Sequence, residues 1–306
     1  MSKTALLFPG QGAQQVGMGK DFYEKSPACR ALYDQASQAL GYDLAKLSFE
    51  GPIENLTKSL HAQPAIFVAS VAAFTVLREK HPALTVHSMA GLSSGEWTAL
   101  HLAGVLTYEA ALKVLEMRGT VMQKACETRP GSMLSVIGAE ESQLKQVCEA
   151  TGAEMANLNS REQTVLSGSR EAIDAAEVKA KEVGIRKAIR LNVAGAFHSS
   201  LMKDAALQFG AYLNSVTFHA PSLPVLANVT GQPHSADAQA IRQAMIDQVY
   251  RSVRWYQGVE WMQGQGVTTY VECGPGKVLS GLAKRIDKNA STHSIQEVSA
   301  VEGLAV

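Results

Sequence analysis

The sequence contains few cysteines, and they are not arranged in pairs. Four occur among 306 residues, and no CxxC motif is present; they are Cys29, Cys126, Cys148 and Cys273. Isolated cysteines of this kind are typical of reduced thiols in the cytosol. We therefore expect a cytoplasmic protein without disulfide bonds.

The chain also lacks a net charge and a long hydrophobic run. Lys and Arg together number 28, as do Asp and Glu, so no overall charge draws the protein toward nucleic acid or an anionic membrane. The N-terminal run ALLF is interrupted at once by Pro9 and Gly10, which makes it too short for a signal peptide, and no later run reaches membrane-spanning length. The 46% of residues that are hydrophobic suffice for a sizeable core. We expect a soluble monomer with neither a nucleic-acid nor a membrane partner.

Strand and helix patterns alternate along the first part of the chain. A short buried strand over 4–8 ends at Pro9, and helical patterns follow at 28–40 and 64–79. The strand pattern LTVHSMAG then leads directly into the helix pattern GEWTALHLAGV. Alternation of this kind predicts an α/β fold with a parallel sheet covered by helices.

A different order of elements begins at Gly131. Strand patterns SMLSVIG, AEMANLN, QTVLSG and RKAIRLN are interspersed with helical patterns at 140–151 and 170–183, and the resulting βαββαβ order is typical of a ferredoxin-like domain. Strand patterns PVLANVT and TTYVECG then resume the first arrangement. We predict a small ferredoxin-like domain, 129–195, inserted into a large domain made of 1–128 and 196–306. The tail after Lys288 is expected to be loosely held.

Two adjacent serines, Ser93 and Ser94, lie between a predicted strand and a predicted helix. The pentapeptide GLSSG at 91–95 matches the G-x-S-x-G nucleophile elbow, whose sharp turn leaves no room for side chains two residues from the serine. Centring the motif on Ser94 would put Leu92 and Glu96 where glycines are required. Ser93 is therefore the candidate nucleophile, at a helix N-terminus where backbone N–H groups can receive an oxyanion. An ordinary Gly/Ser turn is the alternative interpretation.

Of the eight histidines, His198 is the candidate for a base. Its segment, NVAGAFHSSLM, follows the last strand of the small domain, where the chain returns to the large one and clefts form. A histidine that simply packs beside Phe197 is the alternative. The remaining histidines are interpreted as structural or solvated: His61, His81, His87, His101, His219, His234 and His293.

The glycine-rich segment FPGQGAQQVGMG, at 8–19, resembles a phosphate-binding loop only in part. No Lys-Ser/Thr pair follows Gly17, and the G-x-G beginning at Gly10 has Gln15 where a third glycine is required. The segment is interpreted as a tight turn whose backbone amides can approach a ligand. An ordinary strand–helix connection is the alternative.

Five motifs in this order resemble those of the malonyl-CoA:acyl carrier protein transacylases of fatty acid synthesis and of the acyltransferase domains of polyketide synthases. They are FPGQGAQ, GLSSGE, EMRGTVM, FHSSLM and ECGPGKVL, and the resemblance runs from Lys3 to Ile286. It implies a hydrolase-like α/β core that carries the inserted ferredoxin-like domain. It also implies malonyl-CoA as substrate, acyl carrier protein as partner, and no metal or redox cofactor.

The resemblance assigns the catalytic roles residue by residue. Ser93 would be the acylated nucleophile and His198 its base, with a backbone carbonyl near Gln248 orienting the imidazole in place of a carboxylate. The backbone N–H groups of Gln11 and Ser94 would form the oxyanion hole. The implied reaction is a double displacement through a malonyl-serine.

The resemblance also assigns the substrate pocket. Arg118 would hold the free carboxylate of the malonyl group, because a planar guanidinium can grip a carboxylate through two parallel hydrogen bonds. Gln63 and Gln248 would belong to the same substrate-binding site. The alternative for Arg118 is a solvated arginine on a helix.

At four positions the chain departs from the family pattern. Leu92 stands where the family usually has His, Ser94 where it has Leu, Trp97 where it has a smaller aromatic residue, and Ala196 where Pro is common. These departures leave the pathway open, and a free-standing acyltransferase or acyl hydrolase that serves a polyketide synthase is the alternative. A carrier-protein docking module without catalytic activity is a second alternative.

Overall fold

A computed structural model describes residues 3–304, which form two separate β-sheets surrounded by helices. The strands, numbered along the chain, are β1 (Lys3–Phe8), β2 (Val86–Gly91), β3 (Gly131–Ile137), β4 (Glu154–Ser160), β5 (Gln163–Ser169), β6 (Lys187–Arg190), β7 (Val225–Ala227), β8 (Gln232–Pro233), β9 (Val267–Cys273) and β10 (Ser291–Ile295). One sheet has the order β10-β9-β1-β2-β7-β8 and is parallel except where β8 pairs with β7. The other is antiparallel, in the order β4-β5-β3-β6. The prediction of an α/β protein with a parallel sheet is confirmed.

Helices connect most of these strands. They are α1 (Lys20–Lys25), α2 (Pro27–Leu40), α3 (Leu44–Glu50), α4 (Ile53–Leu56), α5 (Ser59–Lys80), α6 (Gly95–Leu102), α7 (Tyr108–Thr128), α8 (Glu141–Thr151), α9 (Arg170–Glu182), α10 (Lys203–Leu213), α11 (Ala238–Asp247), α12 (Trp255–Gly264), α13 (Val278–Ile286) and α14 (Val298–Glu302), with a short 3₁₀ helix at Ser200–Met202. The order β3-α8-β4-β5-α9-β6 agrees with the βαββαβ order predicted from the sequence.

Apolar side chains pack against both faces of the parallel sheet. Alternate residues of β1 point to opposite faces, so Leu6 and Phe8 join the core formed with α2, α5 and α7, whereas Ala5 and Leu7 pack against α12 and α13. Because β1 and β2 are parallel and pair in register, their carboxyl ends, at Phe8 and Gly91, lie side by side. The loops that leave these two ends build one side of the candidate site.

Helix α5 is long and apolar, and it corrects two expectations. Among residues 3–304 it is the one helix whose length and composition would allow a membrane crossing, and 78% of its most apolar 18-residue stretch is buried inside the protein. The expectation that no segment reaches membrane-spanning length is therefore wrong, and the core packing of α5 explains its composition. The helix also begins at Ser59 and not at Pro64, because the residues before the proline are held by packing against α7.

The C-terminal segment corrects a third expectation. Residues after Lys288 were expected to be loosely held, yet Ser291–Ile295 pairs in parallel with β9 as the edge of the large sheet. Helix α14 follows, and its Val301 is fully buried. The edge strand shows a mainly polar, half-exposed pattern, which explains why its composition did not indicate a strand. The last two positions of the predicted tail, 305–306, lie outside the described residues.

Candidate active site

The segment between β2 and α6 forms the sharp turn predicted for a nucleophile elbow. Ser93 adopts a φ of 53°, which residues other than glycine rarely adopt. A Cβ atom on Gly91 would lie 2.0 Å from the backbone of Gly95, and a Cβ atom on Gly95 would lie 2.2 Å from the Phe8 carbonyl oxygen. Both glycines are therefore required by close backbone contacts, as the spacing of the motif predicts.

Ser93 and His198 lie within hydrogen-bonding distance, although 105 residues separate them in the chain. The Ser93 Oγ is 2.8 Å from His198 Nε2, and His198 Nδ1 is 2.8 Å from the backbone carbonyl oxygen of Gln248. Since that carbonyl can only accept, Nδ1 carries the proton and Nε2 is left to accept the serine proton. Like Ser93, His198 has a positive φ, of 56°.

His198 is buried, and its surroundings favour the neutral imidazole. Burial lowers the pKa of His198, and the nearby positive charge of Arg118 lowers it further, to about 4. At neutral pH the side chain is therefore uncharged and can accept a proton. Its carbonyl partner on Gln248 takes the place that a carboxylate occupies in a Ser-His-Asp triad.

Arg118 lies on the face of α7 that points to the same serine, and its side chain is fully buried. Its Nη1 donates to Gln63 Oε1 at 2.8 Å, and its Nη2 donates to Gln248 Oε1 at 2.9 Å and to Ser93 Oγ at 3.1 Å. Within residues 3–304 the guanidinium has no carboxylate partner, and its Nε has no partner at all. Burial lowers the pKa of Arg118 to about 10, although the negative charge of Glu96, which is not in contact with the guanidinium, acts in the opposite direction. A buried cation that contacts only neutral groups is a strong attractor for an anion.

A glycine allows this arginine to approach its glutamine partner. A Cβ atom on Gly119 would lie 2.4 Å from the Ser59 carbonyl oxygen and 2.6 Å from Leu60 Cα. Helices α5 and α7 are therefore in backbone contact beside Arg118, and Gln63 lies one turn along α5 from that contact. The close approach positions the two side chains that the resemblance placed in one pocket.

Gln11 and Ser94 lie at the opposite side of the serine, and here the structure adds a contact. The Gln11 backbone N–H donates to the Ser94 hydroxyl at 3.1 Å, so that amide already has a partner when no substrate is bound. Ser94 is the N-cap residue of α6, where backbone N–H groups have no carbonyl partner within the helix. The Gln11 side chain donates to Ser59 Oγ and accepts from Gln63.

Three residues that the sequence did not indicate complete the site. The Asn228 side chain accepts from the Ser93 backbone N–H at 2.7 Å and donates to the Gly91 carbonyl at 2.8 Å. Glu96 accepts from Gln248 Nε2 at 2.7 Å and contacts His234 Nε2 at 2.7 Å. Asn228 directly follows β7, which neighbours β2, so its place at a strand end was a usable signal. No local pattern indicated Glu96 or the contact that His234, interpreted from the sequence as structural or solvated, makes with it.

A cavity of about 450 Å³ opens beside Ser93 and His198. One part of its wall is apolar, and the remainder is polar and includes the catalytic candidates, Arg118 and Gln11. The apolar part is formed by residues from both the large and the small sheet regions: Met122, Met133, Val165, Leu191 and Phe197. The described residues contain no cluster of three His, Cys, Asp or Glu side chains that could hold a metal ion. The cavity is large enough to hold an acyl group next to Ser93.

A strained serine at a strand–helix turn, paired with a neutral histidine beside a parallel sheet, defines the class of serine-dependent acyl-transfer proteins. The chain belongs to the acyl transferase domain family, whose model matches residues 5–298. It is 38% identical over 307 residues to the malonyl CoA-acyl carrier protein transacylase of Bacillus subtilis (strain 168), covering 99% of this chain and 96% of the relative.

Solved structures agree with this relationship. An acyl carrier protein S-malonyltransferase from Vibrio cholerae O1 biovar eltor superposes with a TM-score of 0.94 at 38% identity, covering 99% of this chain and 100% of the other. A malonyl transacylase in complex with its type II polyketide synthase acyl carrier protein, in the holo form, superposes with a TM-score of 0.94 at 37% identity, covering 98% of each chain.

Proposed function

We propose that this protein transfers a malonyl group from malonyl-CoA to the phosphopantetheine thiol of acyl carrier protein, through a malonyl-Ser93 intermediate, in fatty acid biosynthesis. The observation that carries the proposal is the buried guanidinium of Arg118, 3.1 Å from the nucleophile and without a carboxylate partner among the described residues. An acyl group with a free carboxylate supplies the missing anion. A transferase for plain fatty acyl groups would have no use for this charge.

The first half-reaction acylates the enzyme. His198 Nε2 takes the proton of Ser93 Oγ as that oxygen attacks the thioester carbonyl carbon of malonyl-CoA, and a tetrahedral oxyanion forms. The backbone N–H groups of Gln11 and Ser94 stabilise the oxyanion, and the Gln11 amide exchanges the Ser94 hydroxyl for it. The carbon–sulfur bond then breaks, and His198 returns its proton to the leaving thiolate of CoA.

The second half-reaction repeats these steps with a different thiol. The phosphopantetheine thiol of the carrier protein gives its proton to His198 and attacks the malonyl-Ser93 ester carbon. The same two amides hold the second oxyanion, and its collapse releases Ser93 Oγ, which regains the proton from His198. Thioester, ester and thioester follow one another, so the cycle needs neither a metal ion nor a redox cofactor.

Arg118 and Gln63 select the acyl group. The malonyl carboxylate would accept from Arg118 Nη1, which now donates to Gln63, and from the Nη2 hydrogen that now donates to Ser93. The Nη2 contact with Gln248 is kept. Exchanging neutral acceptors for a carboxylate gives shorter and stronger charge-assisted hydrogen bonds. The acyl chain is thereby fixed with its thioester carbon at Ser93 Oγ.

We also infer the finer architecture. The strand order β4-β5-β3-β6, with β3 and β5 in the centre, supports a ferredoxin-like small domain at 129–195. The elbow at the end of β2 supports a hydrolase-like core made of 1–128 and 196–306, of which residues 1–2 and 305–306 lie outside the described part. The cytoplasmic location, the monomeric state and the absence of nucleic-acid and membrane partners stay predictions.

The proposed function is tested by intact-protein mass spectrometry. After incubation with malonyl-CoA the protein should gain the mass of one malonyl group, and addition of holo acyl carrier protein should move that mass to the carrier. Loss of the adduct to water in place of the carrier thiol would favour the acyl hydrolase. Absence of an adduct would favour the inactive docking module.

A further inference from the structure

A second layer of buried polar groups lies behind the catalytic pair, and the transfer mechanism does not use it. Glu96 and His234 are 138 residues apart in the chain, yet their side chains meet at 2.7 Å and are only 1% and 2% exposed. The other oxygen of Glu96 accepts from Gln248 Nε2 at 2.7 Å and from the Asn228 backbone N–H at 3.2 Å. Burial of such a pair is costly unless every polar atom is satisfied.

The carboxylate of Glu96 determines which way the Gln248 amide faces. Gln248 Nε2 points at two acceptors, Glu96 Oε2 and the Ser93 carbonyl oxygen, the latter at 2.8 Å. The opposite orientation would set Gln248 Oε1 against these acceptors and its NH₂ group against the Arg118 cation. With the orientation fixed, Gln248 Oε1 is the atom that accepts from Arg118 Nη2.

Gln248 also holds the base, since its backbone carbonyl accepts from His198 Nδ1. One residue therefore connects the nucleophile, the base and the arginine, and Glu96 is its anchor on the side away from the cavity. His234 Nε2 in turn donates to Glu96 Oε1, because a carboxylate without a proton can only accept. The contacts form a chain from Arg118 to His234: Arg118 donates to Gln248, and Gln248 and His234 both donate to Glu96.

We propose that Glu96 and His234 are positioning residues that set the Arg118 guanidinium, and through it the preference for carboxylate-bearing acyl groups. The inference rests on the proposed function and goes beyond it, since neither side chain touches the substrate or the reacting atoms. If His234 no longer holds Glu96, the Gln248 amide is held less firmly, because only the Ser93 carbonyl remains as a fixed acceptor for its Nε2. Arg118 then loses one of the partners that align it with the serine.

The test compares His234→Ala with His234→Gln in the full chain, measuring kcat and KM for malonyl-CoA and for acetyl-CoA with holo acyl carrier protein. His234→Ala should lower kcat/KM for malonyl-CoA by about 10- to 100-fold, with a smaller effect on acetyl-CoA, because only malonyl depends on the alignment of Arg118. His234→Gln should restore most of the malonyl activity, since its amide can donate to Glu96. His293→Ala, on the edge strand β10, is the matched control and should retain wild-type values.

A malonyl-to-acetyl ratio that stays at the wild-type value in His234→Ala overturns the inference, whatever happens to the total rate. If His234→Ala does not fold, Glu96→Gln tests the same inference. The variant keeps the side-chain volume, but an NH₂ group replaces one of the two Glu96 oxygens that now accept from His234 and Gln248. Its ratio should fall, and an unchanged ratio overturns the inference. A wild-type chain that fails to transfer malonyl overturns the proposed function and, with it, this inference. An active wild-type chain whose variants keep the wild-type ratio overturns this inference alone, so the two failures are distinguishable.

Discussion

At the scale of single residues, the Arg118 guanidinium explains how one site can combine a nucleophile with acyl selectivity. Its Nη2 donates to the Ser93 oxygen directly, so the group proposed to bind the malonyl carboxylate also lies at the proposed nucleophile. The same positive charge helps to keep His198 neutral and ready to accept a proton. In the proposed mechanism, substrate recognition and the pKa of the base are therefore coupled through a single side chain.

The two serines of the elbow should behave differently when each is replaced. Ser93→Ala removes the attacking oxygen, so no malonyl adduct should form. Ser94→Ala removes only the hydroxyl that accepts from the Gln11 amide, and the adduct should still form because the backbone N–H of residue 94 is kept. Intact mass after malonyl-CoA measures both, and an adduct on the Ser93→Ala protein would contradict the assignment of the nucleophile.

Replacement of the arginine should change which acyl group is used. Arg118→Ala should reduce kcat/KM for malonyl-CoA by roughly 30- to 5,000-fold, or about 2–5 kcal/mol, because the substrate carboxylate loses a buried charged partner. Acetyl-CoA carries no carboxylate, so its kcat/KM should hold steady or improve. Arg118→Lys should rescue malonyl-CoA only in part, since an ammonium cannot form the two parallel hydrogen bonds. A malonyl-to-acetyl ratio unchanged in Arg118→Ala would argue that malonyl is not the natural acyl group.

At the scale of elements, the site depends on how closely two long helices approach. Helices α5 and α7 bring Gln63 to Arg118 only because Gly119 carries no side chain at their contact. On the other side, the parallel pairing of β1 with β2 places the loop of Gln11 against the elbow of Ser93. The catalytic geometry is thus set by element packing and not by the flexibility of any one loop.

A methyl group at the helix contact should therefore affect both stability and selectivity. Gly119→Ala should lower the free energy of unfolding by about 1–3 kcal/mol, because the new Cβ meets backbone atoms that cannot move aside. Its malonyl-to-acetyl ratio should also fall as Arg118 moves from Gln63. The control is Gly281→Ala in α13, where a Cβ meets nothing within 4 Å, and which should be neutral or more stable by about 0.4–1 kcal/mol. Urea unfolding compares the two, and equal shifts would contradict the role of the contact.

At the scale of the whole molecule, the sequence predicted what depends on local pattern. Strand–helix alternation and the GLSSG spacing are both local, so the sheet type and the elbow could be read directly. The contact between Glu96 and His234 joins segments 138 residues apart and has no local signature. The strand after Lys288 was missed because an edge strand needs few apolar residues. The family resemblance indicated Arg118 and Gln248. Their side chains are in contact although 130 residues separate them in the chain, so sequence spacing alone could not have paired them.

The burial of His198 should be visible in the pH dependence of the stability of the whole molecule. Its pKa is about 4 in the folded protein and near 6.5 when unfolded, so between these values the unfolded chain binds a proton that the folded one does not. The contribution of this residue to the free energy of unfolding is therefore fully present above about pH 6.5. It decreases by on the order of 3 kcal/mol as the pH falls to 4. His198→Gln cannot titrate, so its free energy of unfolding should fall less steeply over this range, whereas Ser93→Ala, which keeps the imidazole, should retain the wild-type slope. Urea unfolding at several pH values gives both slopes, and identical slopes for His198→Gln and wild type would show that burial does not lower the pKa of the imidazole.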